Sequence, residues 1–147
     1  MSEAKEVLEQ AIEYWNAGDR GAWSTLYAED VVYEAPGGQR ISGLADLQEK
    51  YFDALATAAP DRSSRDVVLF ADGEHVVEQA RYAGAHTGPL QTPDGVEVPP
   101  TGKQFDFPFV GIFRVQGGKI RSIRIYYDQL ELLTQLGLMP GARPTGG

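Results

Sequence analysis

The sequence predicts an α+β fold, a curved, mainly antiparallel sheet wrapped around N-terminal helices to form a cone-shaped α+β barrel with a central apolar pocket. Two observations carry this expectation. Candidate elements run helix-helix-strand-helix and then four strands, an order that segregates the helices from a strand meander and lets them cover one face of one sheet. Within the stretch 105–115, Phe105, Phe107, Phe109, Phe113 and Val115 share one parity, broken only by Gly111. Side chains of one parity line one face of a strand, so this row is an aromatic wall that suits a core and a small-molecule pocket equally.

The elements follow in order. Val7, Leu8, Ala11, Ile12 and Trp15 have the spacing of an amphipathic helix, with Glu3 and Glu6 near its favourable N-terminal end. Gly18 stops it, and Asp19 can cap a second, shorter helix carrying Ala22, Trp23, Leu26 and Tyr27. Val31 to Ala35 reads as a strand closed by a turn at Pro36-Gly37-Gly38. Ser42 is the expected N-cap of a third helix whose buried stripe is Leu44, Leu47, Tyr51, Phe52 and Leu55, with Asp46 and Lys50 paired on the other side. Strands over 65–70 and 74–85 are joined by Asp72-Gly73, a tight-hairpin signal. The proline- and glycine-rich segment 87–103 is long for a connection in a compact domain, and such loops are often lids. Two more strands meet at Gly117-Gly118, and Leu130, Leu133 and Leu136 give a last short helix its apolar stripe, ended by Gly137. One domain is expected over 1–138, with 139–147 a flexible tail.

A net charge of -8 argues against nucleic acid or an anionic membrane as partner, since both favour basic patches. The absence of cysteine removes disulfides, thiolate metal sites and cysteine nucleophiles. Two histidines, His75 and His86, are few for a metal site, so neither metal nor cofactor is expected. The acidic N-terminus differs from a signal peptide and no apolar run reaches membrane-span length, so a cytoplasmic protein is expected.

Several short stretches, in order, carry a family likeness: Gly84-Ala85-His86-Thr87-Gly88, Pro99-Pro100-Thr101-Gly102-Lys103, Arg114-Val115 before Gly118-Lys119-Ile120, and Gln135-Leu136-Gly137. With the element order, they make the chain similar to the SnoaL-like polyketide cyclase branch of the nuclear-transport-factor-2-like superfamily. The resemblance implies the cone fold and a homodimer, the dimer contact falling on an outer sheet face where Val110, Ile112 and Tyr126 would lie. It does not carry over its catalytic pair. The position of the cyclase aspartate, three residues before Asp128, is Ile125, and that of its histidine partner, three residues before Arg114, is Gly111. The base of ketosteroid-isomerase-like members would fall at Ala35, beside Glu34, and the epoxide-hydrolase triad of two aspartates around an arginine finds no clear match.

Glu34, at the end of the first strand, is therefore the candidate general base, its pKa raised by apolar surroundings. The alternative is a solvent-facing carboxylate paired with Arg40, because one slip in register turns the side chain over. His86 or a tyrosine is the candidate proton donor; the alternative for His86 is that it holds the long loop to backbone. Asp128 has the spacing of a helix cap, which stabilises its anion and makes it a poor acid. On the strand 74–85, parity groups Glu78, Tyr82 and His86 against Gln79 and Arg81 without saying which set faces inward; an inward arginine would need a carboxylate, for which Glu34 is the expected partner. Tyr14, Tyr33, Tyr82, Tyr127, Phe105, Phe107, Phe109 and Phe113 are the expected substrate-contacting residues, whereas Trp15 and Trp23 are taken as core. The function expected is cofactor-independent acid/base catalysis, of cyclase, isomerase or lyase type, on a hydrophobic oxygenated small molecule. The alternatives are a non-catalytic ligand-binding protein of the same fold and an epoxide-hydrolase-like enzyme.

Overall fold

The structure is a computed structural model that describes residues 3–91 and 95–138; the expected tail, 139–147, lies outside the described residues. Helix α1 (Glu3–Ala17) presents Leu8, Ala11 and Trp15 to the core, and Gly18 reverses the chain at a φ of 72° that glycine adopts without strain. Asp19 caps α2 (Arg20–Ser24), its Oδ1 accepting from the Ala22 amide at 3.1 Å. The helix is shorter than its apolar pattern implies. Tyr27 already belongs to β1 (Tyr27–Ala35), where strand pairing to the C-terminal strand overrides the helical spacing.

The turn at Gly37-Gly38 leads into a strand that the sequence pattern did not reveal, β2 (Gln39–Ser42). Ser42 is thus the end of a strand, and Gly43, with no side chain to cap, precedes α3 (Leu44–Leu47). The third helix is interrupted. After α3 come a π-helical stretch (Gln48–Asp53) and α4 (Ala54–Ala58). A π turn inserts a residue into the helical repeat, which the 3.6-residue pattern cannot display. The remaining strands are β3 (Ser63–Asp72), β4 (His75–Ala85), β7 (Gln104–Gln116) and β8 (Lys119–Tyr127), with a small ribbon, β5 (Leu90–Gln91) and β6 (Glu97–Val98), inside the long loop. Asp128 caps α5 (Gln129–Gln135), accepting from the Leu130 and Glu131 amides at 3.0 and 3.3 Å.

Six strands make one sheet in the order β2-β1-β8-β7-β4-β3. The pair β1–β8 is parallel and the others antiparallel, which leaves β2 and β3 as the two edges of the sheet. Register brings the inward rows together: Val76 faces Phe113, Ala80 faces Phe109 and Tyr82 faces Phe107. The predicted aromatic row does face inward, with Phe105, Phe107, Phe109, Phe113 and Val115 all buried. On the outer face, Phe70, Val77 and Ile112 form one row across three strands, and Val68, Val110 and Tyr126 form part of the next. Phe70 and Tyr126 are about half exposed there. No helix among the described residues is long and apolar enough to cross a membrane.

The long loop is tied to the helices at its root. The Thr87 and Gly88 amides donate to the Ala58 carbonyl at 3.0 and 3.1 Å, and a Cβ on Gly88 would stand 1.9 Å from the Thr57 carbonyl oxygen. Backbone cannot yield as a flexible side chain does, so Gly88→Ala is expected to lower stability by roughly 1–3 kcal/mol, the cost of overpacking. Urea denaturation checks this, and the shift should appear in the midpoint with little change in slope.

Candidate active site

The cone encloses a cavity of about 360 Å³, within the usual range for small-molecule sites. Its walls come from α1, α2, the π stretch with α4, and the inner faces of β1, β4, β7 and β8, with α5 and Leu90 and Gln91 of β5 also lining it. Of the residues expected from sequence, Tyr33, Tyr82, Phe107, Phe109, Phe113 and Tyr127 line it. Tyr14 and Phe105 do not: Tyr14 packs at the edge of the main core, and Phe105 belongs to a second cluster with Phe107, Ala59 and Leu136. Trp15 and Trp23 are core residues as expected, yet both also reach the cavity wall.

The two candidate catalytic residues lie elsewhere. Glu34 sits on β1 next to inward Tyr33, so the strand's alternation turns it outward. Its Oε1 is 3.3 Å from Arg124 Nη2 and 3.8 Å from Arg40 Nη1, and the side chain is 41% exposed. It is a surface carboxylate between two arginines, away from the cavity. His86 is buried, but at the root of the long loop. Its Nδ1 accepts from the Thr101 amide at 3.2 Å and lies 3.0 Å from Thr101 Oγ1. Its backbone exchanges hydrogen bonds with Gly102 and Lys103, and burial lowers its pKa, so it is a neutral imidazole that staples the two ends of the loop together. The expected pairing of a strand arginine with Glu34 also fails for Arg81, which points outward and binds Asp106 Oδ1 at 2.7 Å.

The group the sequence did not single out is Glu78. It lies on β4 between inward Val76 and Ala80, is 3% exposed, and lines the cavity. Its Oε2 has no hydrogen-bond partner among the described residues. Loss of hydration disfavours the charged form and raises its pKa to about 7. Strand register explains its position. Glu78 faces Gly111 on β7, and Gly111 faces Ile125 on β8. The two positions that lack the cyclase histidine and aspartate therefore lie side by side with a buried carboxylate on the next strand. A Cβ on Gly111 would stand 2.8 Å from Phe113 Cε1 and 3.1 Å from Ile125 Cδ1, so these two apolar side chains occupy the space a residue there would use. The signal that could have found Glu78 was present: it shares parity with Val76, Ala80 and Tyr82, the partners of the aromatic row.

Tyrosines share the cavity wall with this carboxyl group. Tyr27, Tyr33, Tyr51 and Tyr82 all line the cavity, and burial raises the pKa of each, so they remain phenols able to donate. Glu78 is close enough to Tyr27 and Tyr51 for its charge to oppose their ionisation. The Tyr82 hydroxyl has no partner among the described residues. No group of three or more His, Asp or Glu side chains among the described residues is placed to hold a metal ion. The arrangement is a buried carboxyl group in a largely apolar chamber whose walls also carry tyrosine side chains.

Because the folded state raises the Glu78 pKa, it holds the proton more tightly than the unfolded chain between about pH 4.5 and 7. Stability is then greatest below that window and is lost as pH rises through it, by an amount on the order of 3 kcal/mol for this group. Glu78→Gln, which cannot ionise, is expected to abolish that loss. The difference in unfolding free energy between variant and native protein should favour the variant more at about pH 8 than at about pH 4. A difference independent of pH would contradict a raised pKa.

Comparison with known proteins follows the same lines. The chain is similar in structure to a provisionally assigned polyketide cyclase from Xanthomonas campestris pv. campestris, with a TM-score of 0.79, 24% identity, and coverage of 91% of this chain and 96% of that one. A provisionally assigned SnoaL-like polyketide cyclase from Jannaschia sp. CCS1 gives a TM-score of 0.80 at 23% identity, covering 94% of each chain. A hypothetical protein of ketosteroid isomerase-like fold from Catenulispora acidiphila, in complex with trimethylamine, gives 0.75 at 21% identity, covering 95% and 98%. At these identities the likeness is one of fold. No curated protein matches the sequence. The sequence profile of the SnoaL-like polyketide cyclase family matches residues 5–136, nearly the whole of a chain whose sheet order, aromatic wall and cavity have just been described; the chain belongs to that family.

Proposed function

We propose that the protein is a cofactor-independent acid/base enzyme of cyclase, isomerase or lyase type, acting on a hydrophobic, oxygenated carbonyl compound, with Glu78 as its proton-transfer group. The observation that carries this reading is a lone buried carboxyl group, with a pKa of about 7, facing an apolar cavity. Such a group is substantially present in both forms near neutral pH, which suits it to take a proton in one step and return it in another.

The chemistry follows from the surroundings. Ionised Glu78 removes a proton from carbon next to the substrate carbonyl, and the electron pair moves onto the carbonyl oxygen as an enolate. A tyrosine hydroxyl at the wall donates a hydrogen bond to that oxygen, and the phenylalanine row keeps water out. The enolate then attacks a second carbonyl, is reprotonated elsewhere, or expels a leaving group. Glu78 returns the proton in each case, so the choice among cyclase, isomerase and lyase outcomes lies with the substrate.

The non-catalytic reading, a binding protein for an apolar ligand, is favoured by the apolar residues at Gly111 and Ile125, and differs in predicting ligand binding without turnover. The epoxide-hydrolase-like reading has less support. It needs two carboxylates around an arginine, and Glu78 is the only buried carboxylate among the described residues.

A panel of hydrophobic β-dicarbonyl compounds in D2O tests the proposal, with exchange of the carbon-bound proton followed by NMR. Exchange should rise with pH to a plateau above about 7, as the base ionises. Glu78→Gln should lower it at least about 100-fold, the usual scale of a general base, while Glu34→Gln leaves it near the native rate. Full exchange in folded Glu78→Gln would refute the assignment.

The homodimer expected from the sequence is part of the same proposal. Its surface is the outer sheet face, where Phe70 and Val68 on the edge strand extend the apolar row at Val110, Ile112 and Tyr126. Sedimentation should show a dimer that Phe70→Asp dissociates, since an unpaired charge in an apolar contact is costly; a monomeric native protein would exclude it.

A further inference from the structure

The cavity combines aromatic rings with a carboxyl group that has a free oxygen. Glu78 is 3% exposed and lines the cavity, and its Oε2 has no hydrogen-bond partner among the described residues. Register sets rings beside it. Glu78 pairs with Gly111, and the inward neighbours of Gly111 along β7, two residues to either side, are Phe109 and Phe113. The Phe113 ring reaches Gly111, since a Cβ there would stand 2.8 Å from Phe113 Cε1. Tyr27 and Tyr51 are close enough to Glu78 for its charge to oppose their ionisation. Trp23 is on the same wall, its ring centre 4.3 Å from that of Tyr27 and 6.3 Å from that of Tyr51.

Ring faces carry negative potential and attract a cation that has left water. An ionised carboxylate in the same place attracts it further, and the cation in turn favours the ionised carboxylate. Among the described residues no basic side chain does this for Glu78, because burial is the one cause that moves its pKa. Lys50, the basic side chain on the wall, is largely exposed and pairs with Asp46 at 3.4 Å. Arg62 is buried against Trp15, its Cζ 4.2 Å from the ring centre, and does not line the cavity. The net charge of -8 also favours approach of a cation over an anion. A primary ammonium brings three N–H donors that each need an acceptor, more than one carboxylate among rings supplies. An alkylated nitrogen has one N–H or none and presents carbon to the rings.

We propose that the cavity binds an organic cation, a tertiary or quaternary ammonium ion seated among these rings with ionised Glu78 as its counter-ion. This goes beyond the carbonyl chemistry proposed above and does not require it. The cation needs the carboxylate only as an anion, whether or not that group also moves protons.

The test compares phenyltrimethylammonium, which is permanently charged and has no N–H, with tert-butylbenzene, its uncharged isostere. Trp15 and Trp23 on the wall report binding by their fluorescence. At about pH 8 the native protein should bind the cation at least about tenfold more tightly than the isostere. Lowering the pH to about 5 protonates Glu78, whose pKa is about 7. Cation binding should then weaken at least about tenfold while isostere binding is unchanged. The wall tyrosines, held as phenols by burial, do not change charge in that range. Glu78→Gln should erase both the preference and its pH dependence, and Phe113→Leu should weaken the cation more than the isostere. Failure of the cation to bind, equal binding of the two ligands at about pH 8, or an affinity independent of pH would overturn the proposal. So would a preference retained in folded Glu78→Gln, or an equal effect of Phe113→Leu on both ligands. Should Glu78→Gln fail to melt cooperatively, the pH profile of the native protein decides alone. The probe carries no exchangeable proton, so cation binding and the proton exchange proposed for Glu78 can fail separately.

Discussion

The antiparallel register of β4 on β7 is the constraint on which the site depends. It sets Val76, Ala80 and Tyr82 opposite Phe113, Phe109 and Phe107, so that both inward rows contribute to one apolar surface. It also places Glu78 opposite Gly111, the one gap in the phenylalanine row. A shift of one residue would exchange the faces, turning Glu78 to solvent and bringing Gln79 and Arg81 inside. The carboxyl group's pKa is a consequence of that register, because desolvation alone accounts for its rise.

Around this surface the helices supply mainly aromatic rings, with Lys50 the charged side chain they bring to the cavity wall. Trp15 contacts Trp23, Tyr51 and Phe52, and Tyr51 reaches Tyr33 on the first strand at 4.6 Å. The π stretch brings Lys50 and Tyr51 to the cavity while Phe52 packs behind it. Arg20, bonded to Asp53 at 2.8 and 3.1 Å, holds that stretch to α2 from outside. Among the described residues, the buried atoms without a hydrogen-bond partner include Glu78 Oε2 and the Tyr82 hydroxyl on β4, and Nε and Nη2 of Arg62. Charge of either sign is weakly screened in such a place.

Much of the frame was legible in the residues. Helical spacing in α1, the caps at Asp19 and Asp128, the turns at Asp72-Gly73 and Gly117-Gly118, and the inward row of β7 are local features, determined within a few residues of chain. Where local signals failed, a distant partner had decided. Tyr27 follows a helical spacing but pairs with Ile120; Gln39–Ser42 has no strand pattern of its own but borders β1; the π turn adds a residue that the repeat cannot show. Glu34 was the nearest carboxylate to an expected pocket mouth, and strand alternation put it on the outer side, between Arg124 and Arg40.

The chain by itself determined the fold class, the aromatic wall and the absence of the cyclase aspartate and histidine, because these depend on residue type, parity and order. It also narrowed β4 to two sets of side chains, one of them containing Glu78 and Tyr82. Choosing between the sets required the register against β7, and a loop spanning 86–103 separates the two strands, so no tight turn ties one count to the other. Only the tertiary structure could make that choice. It did so through the packing of Phe107, Phe109 and Phe113 against Tyr82, Ala80 and Val76, which carries a carboxylate into the cavity alongside the apolar side chains.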